Sequence, residues 1–353
     1  MSSLCVDARL LGSAGIGRLL KNLLPSFSEN FSLSLLCYEK DCEELRSYSD
    51  RLILMTSPIY SLKEQLELPR KIPSCDLFYA PHFNIPLLPI RAKKRVTTIH
   101  DVYHLAHFSE LSLPQKLYSR LFYNSALRLS DQVITITEFS RGEIQRFCRV
   151  KRARLAVILN GVSQMFQREE QSAKGYLLVV GNIKPHKNLY RLLLAYERAN
   201  PKEELVIVGE REGFLTQDKR IFALLEKNQA LKERVRFTGY LSDRELPPLY
   251  SSAKVFLFPS LYEGFGAPPL EAMACGCPVV ASNAASIPEV CSDAVEYVDP
   301  YDVNSIADGI VRVLSDDKRR EELIEKGMAR VKKFPIEKCV QGYLEMFQAL
   351  VNE

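Results

Sequence analysis

The feature that most constrains this chain is the alternation of short apolar runs with amphipathic helical patterns, which occurs in two successive series. Apolar runs rich in β-branched and aromatic residues predict strands, and apolar residues that recur at the helical period predict helices. Strands that alternate with helices are typical of parallel βαβ units, so each series predicts a doubly wound parallel sheet. The predicted strands are 33–38, 76–80, 95–100, 132–137 and 155–162 in the first series, and 176–183, 204–210, 234–240, 255–260 and 279–282 in the second. The predicted helices include 15–27, 114–130, 140–149, 318–331 and 336–351.

Two sheets predict two domains, because a chain of 353 residues with 46% hydrophobic content is too long for one ordinary core. The strand at 155–162 runs into a polar stretch without periodicity at 163–175, which we interpret as the interdomain linker. The predicted domains are 1–165 and 172–335, and we expect the C-terminal helix at 336–353 to pack back towards the first domain.

The net charge of +4 argues against a protein that binds duplex nucleic acid, since such a protein would carry a concentrated basic surface. Nine cysteines without a CxxC pair, and an N-terminus without a basic segment followed by an apolar core, predict a protein of the reducing cytoplasm. No run approaches the roughly twenty apolar residues of a membrane-spanning helix, so we expect a soluble or at most peripheral protein.

A glycine loop between two carboxylates, at 262–282, is the first candidate site. Gly264 and Gly266 allow the backbone to approach a ligand closely, and the Pro-Pro pair that follows predicts the start of a helix carrying Glu271. The amides of such a loop and a helix N-terminus suit a phosphate, whereas carboxylates suit hydroxyl groups, so the stretch fits a nucleotide sugar. The alternative is that Glu263 is a surface residue and Glu271 only a partner of the helix dipole.

Two further strand-to-helix turns place glycines and cations where a phosphate would bind. Gly15 and Gly17 belong to a GxxGxG turn followed by Arg18, which differs from the GxGxxG fingerprint of dinucleotide-binding proteins. In the second series Gly181 ends a strand and Lys187 lies just before a helix, where a pyrophosphate would need a cation. A tight turn and a solvated lysine are the alternatives at these two places.

His100 and Asp101 end a predicted strand, at the sheet edge where ligands bind. The spacing of His100, His104 and His107 does not predict a zinc site, because zinc-binding pairs of this spacing need one continuous helix and no third ligand motif is present. The alternative to a functional role for His100 is a histidine satisfied within the core.

Taken together, several stretches resemble the retaining glycosyltransferases of family 4, which have the GT-B fold. The likeness covers almost the whole chain, and "GIGR" and "GNIKPHKN" are most similar to the mannosyltransferase-like branch. It implies an α/β protein with two Rossmann-like doubly wound domains that face each other across a cleft, the first on the acceptor side and the second binding the nucleotide sugar. The other similar stretches are "ITITEFSRGEI", "LNGV", "FTGYLSDREL" and "LYEGFGAPPLEAMACGCPVVAS".

The resemblance implies a role for each candidate residue. Glu271 would hold the ribose hydroxyls of the donor, and Glu263 would hold the hexose hydroxyls on the far side of the anomeric carbon. Lys187 would neutralise the leaving diphosphate, and His100 would contact the donor sugar near its C6 hydroxyl. The other implied donor-binding residues are Gly15, Gly17, Arg18, Gly181, Asn182, Gly264, Phe265 and Gly266.

The resemblance also implies front-face attack without a protein nucleophile, so that the protein acts chiefly by stabilising the leaving diphosphate. No D-x-D triplet occurs in the chain, and we therefore expect neither a metal nor another cofactor. One departure from the family pattern is Asn182, where many members have arginine. Lys184, His186 and Arg18 are the candidates for the second cation.

These observations favour a retaining hexosyltransferase, with GDP-mannose marginally preferred as the donor and a glycan, lipid-linked or other hydroxyl compound as the acceptor. One alternative is an NAD-dependent oxidoreductase, with Glu39 at about the right distance from the glycine turn for a ribose. The order of the glycines and the second α/β domain count against it. The other alternative is a non-catalytic nucleotide-sugar-binding protein, which would not need both Glu263 and His100.

The acceptor pocket is expected in the first domain, around 82–86 and 101–125. The basic stretch 88–96 and one amphipathic helix would suit docking on an anionic membrane that carries a lipid-linked acceptor, with a solvated helix as the alternative. We accordingly expect a cytoplasmic protein, either free or peripheral on the inner face of the membrane. The helix carries Lys116, Arg120 and Arg128 beside Leu117, Leu121 and Phe122.

Overall fold

The computed structural model describes residues 1–49, 51–149, 154–169, 175–209 and 218–353. They form two compact units, the first made of Met1–Asn160 with Ile336–Glu353 and the second of Gly161–Pro335. The chain therefore leaves the first unit at Asn160, compared with the predicted boundary at 165, and returns to it at Ile336. Residues 170–174 of the predicted linker lie outside the described part of the chain.

Short strands form a parallel sheet in each unit, as the two series of apolar runs predicted. In the first unit they are β1 (Ser3–Asp7), β2 (Ser32–Cys37), β3 (Leu52–Leu54), β4 (Cys75–Ala80), β5 (Ala92–Thr98), β6 (Gln132–Thr135) and β7 (Leu155–Val157). In the second unit they are β8 (Tyr176–Val180), β9 (Leu205–Val208), β10 (Val235–Gly239), β11 (Ala253–Phe258), β12 (Val279–Ser282) and β13 (Glu296–Val298).

Helices follow most of the strands. In chain order they are α1 (Ala14–Asn30), α2 (Cys42–Leu45), α3 (Leu62–Lys71), α4 (Tyr103–Ala106), α5 (Leu113–Leu129), α6 (Glu138–Phe147), α7 (Leu189–Ala199), α8 (Lys219–Lys227), α9 (Gln229–Glu233), α10 (Leu246–Ser252), α11 (Ala267–Ala274), α12 (Ile287–Cys291), α13 (Val303–Ser315), α14 (Asp317–Val331) and α15 (Ile336–Asn352).

The strand order reverses once in each sheet. It is β3-β2-β1-β4-β5-β6-β7 in the first unit and β10-β9-β8-β11-β12-β13 in the second, with parallel pairing throughout. The reversal lies between β1 and β4 in the first sheet and between β8 and β11 in the second. The loops that follow two such strands open a crevice at their carboxyl ends, which is where open α/β sheets bind ligands.

The C-terminal helix α15 packs within the first unit. Its Phe347 stacks on Phe27 of α1, with 5.1 Å between the ring centroids. The hydroxyl oxygen of Tyr343 lies 3.1 Å from that of Thr98 in β5. Phe27, Tyr343 and Phe347 are fully buried, so α15 completes the hydrophobic core on this side of the first sheet.

The predicted strand at 155–162 is shorter than expected. Within it, Leu155–Val157 form β7, an edge strand that pairs with β6. Val162 makes an isolated bridge with Pro335 instead, and its N–H donates to the carbonyl of Phe334 at 2.9 Å. This contact belongs to the second unit, so the chain changes partners within the predicted strand.

Candidate active site

The predicted donor-binding residues of the second unit collect at the carboxyl ends of β8 and β11. Gly181 and Asn182 directly follow β8, and Lys187 ends a short 3-10 helix that precedes α7. Glu263 lies in the loop that leads from β11 to α11. Because β8 and β11 flank the reversal of strand order, both loops border the crevice where a ligand is expected.

Lys187 and Glu263 form an ion pair, with 2.6 Å between Nζ and Oε1. The two side chains are only 19% and 14% exposed. Burial raises the pKa of Glu263, but the charges of Lys187 and His186 and the hydrogen bond from Lys187 outweigh burial and lower that pKa. Glu263 is therefore ionised at neutral pH, and the sheet edge holds a cation and an anion in direct contact.

Two neighbours shape the space around the Lys187 side chain. Its Nζ lies 5.4 Å from the ring centroid of Phe258, the last residue of β11. On another side, a Cβ added to Gly181 would lie 3.6 Å from Cε of Lys187. A Cβ there would be in ordinary van der Waals contact with the lysine stem, so the φ of 152° and not crowding favours glycine at this position.

Asn188 fixes the loop that carries Lys187. It is buried and has a left-handed backbone conformation, with φ of 60°. Its Nδ2 donates to the carbonyls of Pro259 at 3.0 Å and Pro300 at 2.7 Å. The N–H of Leu261 also donates to the carbonyl of His186 at 2.7 Å, so the loops after β8 and β11 are joined directly. The sequence prediction missed Asn188, although an asparagine between a short turn and a helix is a known signal for this conformation.

The glycine loop before α11 is held by Ser286. Its Oγ lies 2.9 Å from the carbonyl oxygen of Glu263 and 3.0 Å from that of Phe265, so one hydroxyl proton serves both acceptors. Gly266 has φ of 93°, and a Cβ there would lie 2.8 Å from Cδ1 of Ile287. Only glycine fits this position without displacing its neighbour. Gly264 is buried in the same loop.

Glu271 lies within α11 and is 2% exposed. Tyr250 of α10, itself fully buried, donates its hydroxyl proton to Oε2 of Glu271 at 3.0 Å. The carboxylate is therefore oriented by a neighbouring helix, which does not support the alternative of a simple first-turn dipole partner. The sequence prediction missed Tyr250, which lies 21 residues from Glu271 and outside any recognisable motif.

His100 follows β5 in the first unit and is held by two backbone contacts. Its Nε2 lies 2.9 Å from the carbonyl of Pro81, and its own carbonyl accepts from Oγ of Ser140 at 3.0 Å. Burial lowers the pKa of His100, although the Pro81 carbonyl and Asp101 act in the opposite direction. Because a carbonyl can only accept, the neutral ring carries its proton on Nε2, and Nδ1 is the acceptor nitrogen.

The glycines near the N-terminus are helical and do not form the expected loop. Helix α1 begins at Ala14, so Gly15, Gly17 and Arg18 lie in its first turns. The N–H of Gly17 donates to the carbonyl of Ser13 at 2.8 Å, and a Cβ on Gly17 would lie 2.0 Å from the carbonyl oxygen of Leu11. Gly17 is thus needed where the helix packs against the turn before it. The structure brings together the candidates of the second unit, whereas Gly15, Gly17, Arg18 and His100 belong to the first.

Known sequence families match both halves of the chain. The family described as glycosyl transferases group 1 matches residues 163–330, and the family described as glycosyltransferase family 4 matches residues 14–164.

Individual glycosyltransferases are also similar to this chain in sequence or in structure. O-antigen chain mannosyltransferase B of Escherichia coli is 32% identical over 290 residues, which cover 78% of this chain and 74% of that protein. O-antigen chain mannosyltransferase RfbU of Salmonella typhimurium is 29% identical over 259 residues, which cover 73% and 70%. The crystal structure of Anabaena HepE (Alr3699) in complex with UDP-glucose superposes with a TM-score of 0.82 at 18% identity, over 99% of this chain and 100% of HepE. The chain belongs to family 4 of the glycosyltransferases and has their GT-B fold.

Proposed function

We propose that this glycosyltransferase moves a hexose from a nucleotide sugar to a glycan, lipid-linked or other hydroxyl acceptor, with retention of the anomeric configuration. The observation that carries the proposal is the Lys187–Glu263 ion pair at the strand-order reversal of the second sheet. A diphosphate carries more negative charge than one carboxylate. Lys187 would therefore exchange its ion pair with Glu263 for one with the diphosphate of the donor. The Glu263 carboxylate could then accept hydrogen bonds from the hydroxyl groups of the sugar.

In the transfer step the bond between the anomeric carbon and the diphosphate oxygen breaks, and its electron pair stays on the diphosphate. The acceptor oxygen bonds to the anomeric carbon on the same face of the sugar, and its proton passes to the departing phosphate oxygen. The positive charge of Lys187 would stabilise the charge that develops on the diphosphate, which is usually the largest contribution of a preorganised site. No protein nucleophile takes part.

The other candidate residues would position the donor. The Glu271 carboxylate, oriented by Tyr250, would accept hydrogen bonds from the ribose hydroxyls. The backbone amides of Gly264, Phe265 and Gly266 would face the phosphates or the sugar. A neutral His100 with a free acceptor nitrogen would suit a sugar hydroxyl, which donates to it. Gly15, Gly17, Arg18, Gly181 and Asn182 remain proposed donor contacts.

GDP-mannose is the donor that we favour, because two relatives, at 32% and 29% identity, are named as O-antigen chain mannosyltransferases. Their names also support a polysaccharide acceptor. We infer that no metal takes part, because the chain lacks a D-x-D triplet and Lys187 offers the cation that a diphosphate needs. Membership of a glycosyltransferase family leaves no support for the oxidoreductase alternative.

Peripheral contact with the inner face of the membrane is part of the proposal, and helix α5 supports it. Its 17 residues include no acid, and Leu113, Leu117 and Leu121 are 70%, 63% and 53% exposed on one stripe. A solvated helix does not normally leave three leucines in a row uncovered. None of the helices in the described part of the chain has the length and apolar content that crossing a bilayer requires.

Two residues expected at this surface have other roles. Phe122 is 4% exposed and packs in the core of the first unit. Arg95, in the basic stretch 88–96, is buried and donates from Nη1 to the carbonyl of Pro86 at 2.9 Å. The proposed membrane surface therefore consists of the three exposed leucines with Lys116, Arg120 and Arg128.

The proposal is tested by incubating the pure protein with a panel of nucleotide sugars and measuring the released nucleoside diphosphate. Release is expected to be fastest with GDP-mannose and to be unchanged by EDTA. If no donor in the panel gave nucleoside diphosphate in the presence of a mannan or methyl mannoside acceptor, the proposed activity would be excluded. Loss of activity in EDTA that manganese restores would exclude metal independence alone.

A further inference from the structure

A second polar cluster occupies the strand-order reversal of the first sheet, and the donor chemistry does not use it. Arg9 follows β1, Asn84 follows β4, and both bind the fully buried carboxylate of Glu64 in α3. Arg9 Nη2 lies 2.7 Å from Oε1 of Glu64, and Nδ2 of Asn84 lies 2.9 Å from the same oxygen. Oδ2 of Asp7 lies 2.6 Å from the same Nη2, and Nε of Arg9 donates to Oδ1 of Asp7 at 2.7 Å. The cluster therefore ties α3 to the ends of both central strands.

Glu64 also holds an aromatic residue in an unusual conformation. The N–H of Tyr60 donates to Oε2 of Glu64 at 2.7 Å. Tyr60 has φ of 69°, which is disfavoured for an aromatic residue, yet 53% of its surface is exposed. Tyr60 therefore keeps this backbone conformation although about half of the residue stays exposed. Such outliers cluster at sites where a side chain is positioned for function.

The hydrogen bonds of His82 determine whether the Tyr60 hydroxyl donates or accepts. The N–H of Asn84 donates to Nδ1 of His82 at 3.3 Å, so the proton of the neutral ring is on Nε2. Burial lowers the pKa of His82 to about 3, with His100, His104 and Arg9 adding to the effect, so the ring is neutral at physiological pH. Nε2 of His82 lies 3.3 Å from the Tyr60 hydroxyl oxygen. That hydroxyl accepts from His82 and keeps its own proton for another acceptor.

The ring of Tyr60 meets its aromatic neighbours only by edge-to-face contacts. The ring centroids of His82 and Tyr118 lie 5.7 Å and 6.0 Å away, at interplanar angles of 70° and 79°. Neither neighbour stacks on Tyr60. The residue therefore presents an aromatic surface and a hydroxyl donor at the ligand-binding edge of the sheet.

We propose that Tyr60, held by Glu64 and hydrogen-bonded by His82, is a stacking platform for a hexopyranose unit of the acceptor. The C–H face of a pyranose is apolar and weakly positive, so it complements the negative face of an aromatic ring. The Tyr60 hydroxyl donates to an oxygen of the same sugar. The assignment of this sugar as the acceptor rests on the proposed function, whereas the binding of a hexopyranoside does not.

The test uses saturation-transfer NMR on the full chain with methyl α-D-mannopyranoside. Tyr60→Gly removes the ring and also relieves the backbone, because glycine accepts this φ. We expect it to lower the saturation signal about tenfold without lowering the melting temperature, and Tyr60→Phe to lower the signal about twofold. Phe147→Ala, which removes an exposed ring at the end of α6, is the matched control and is expected to leave the signal unchanged.

An equal signal from the wild type and Tyr60→Gly would overturn the proposal, and so would the absence of any signal from the wild type. Glucoside, galactoside and N-acetylglucosaminide analogues are measured in parallel, so a different hexose preference supports the same platform. If hexose transfer occurs but the substitution of Tyr60 does not change hexoside binding, only this inference fails. If binding depends on Tyr60 but no donor supports transfer, the proposed function fails and the saccharide site stands.

Discussion

At the scale of single residues, the roles proposed for Lys187 and Glu263, which form an ion pair, predict that substitutions can change nucleotide binding and turnover separately. Glu263→Gln removes the charge that competes with the diphosphate for Lys187. We expect GDP affinity to be unchanged or up to about threefold tighter, while transfer slows by about tenfold or more, because the lost contact is to the reacting sugar. Calorimetry with GDP and initial transfer rates measure the two effects.

Lys187→Gln is the matched variant at the other end of the pair. It should weaken GDP binding by about tenfold, since a hydrogen bond to a charged group contributes roughly 1.5–3 kcal/mol. Equal losses of GDP affinity in the Glu263 and Lys187 variants would contradict the assignment of one residue to the sugar and the other to the diphosphate.

Glu271 should behave differently from Glu263, because the ribose is common to the donor and to free GDP. We expect Glu271→Ala to weaken both ligands about ten- to a hundredfold, as measured by calorimetry. Tyr250→Phe keeps the ring but removes the hydrogen bond that orients the carboxylate, so its loss should be smaller. GDP affinity that is the same in the wild type and Glu271→Ala would show that Glu271 does not hold the ribose.

At the scale of elements, α1 offers two glycines that predict opposite changes in stability. A Cβ on Gly17 would lie 2.0 Å from the carbonyl oxygen of Leu11, whereas a Cβ on Gly15 has no neighbour within 4 Å. Gly17→Ala should lower the free energy of unfolding by about 1–3 kcal/mol through overpacking. Gly15→Ala should be neutral or raise it by up to about 1 kcal/mol. Urea unfolding of the full chain distinguishes them, and equal effects of the two substitutions would refute the packing role of Gly17.

Helix α5 gives the second prediction at this scale. We expect the protein to sediment with vesicles that contain phosphatidylglycerol but not with pure phosphatidylcholine, because α5 exposes leucines and all of its charged residues are lysine or arginine. Leu117→Ser combined with Leu121→Ser should reduce sedimentation at least about fivefold. The control is Val311→Ser combined with Met328→Ser, which alters two exposed apolar residues of the second unit. Binding that survives the α5 substitutions would place the membrane contact elsewhere.

At the scale of the whole molecule, the two parallel sheets could be predicted because strand and helix periodicities are local properties of the sequence. The positions of Lys187 and Glu263 after strands could be predicted for the same reason. Their ion pair could not, because it requires β8 and β11 to be neighbours, and strand order depends on contacts distant in sequence.

The hydrogen bonds that orient Asn188 and Tyr60 could not be predicted from the sequence for the same reason. Asn188 binds carbonyls 71 and 112 residues away, and Tyr60 is positioned by a carboxylate that also binds Arg9 and Asn84. None of these contacts follows from a motif or a period. Conversely, Gly17 belongs to a recognisable glycine pattern, but its packing against Leu11 became evident only when the start of α1 was known.

At this scale, the proposed transfer of a hexose with retention is tested by time-resolved proton NMR of the first product formed from an α-linked donor such as GDP-mannose. We expect the anomeric signal of this product to be that of the α-hexoside, or of α-mannose before mutarotation where water is the acceptor. A β-configured first product would contradict retention and the front-face mechanism.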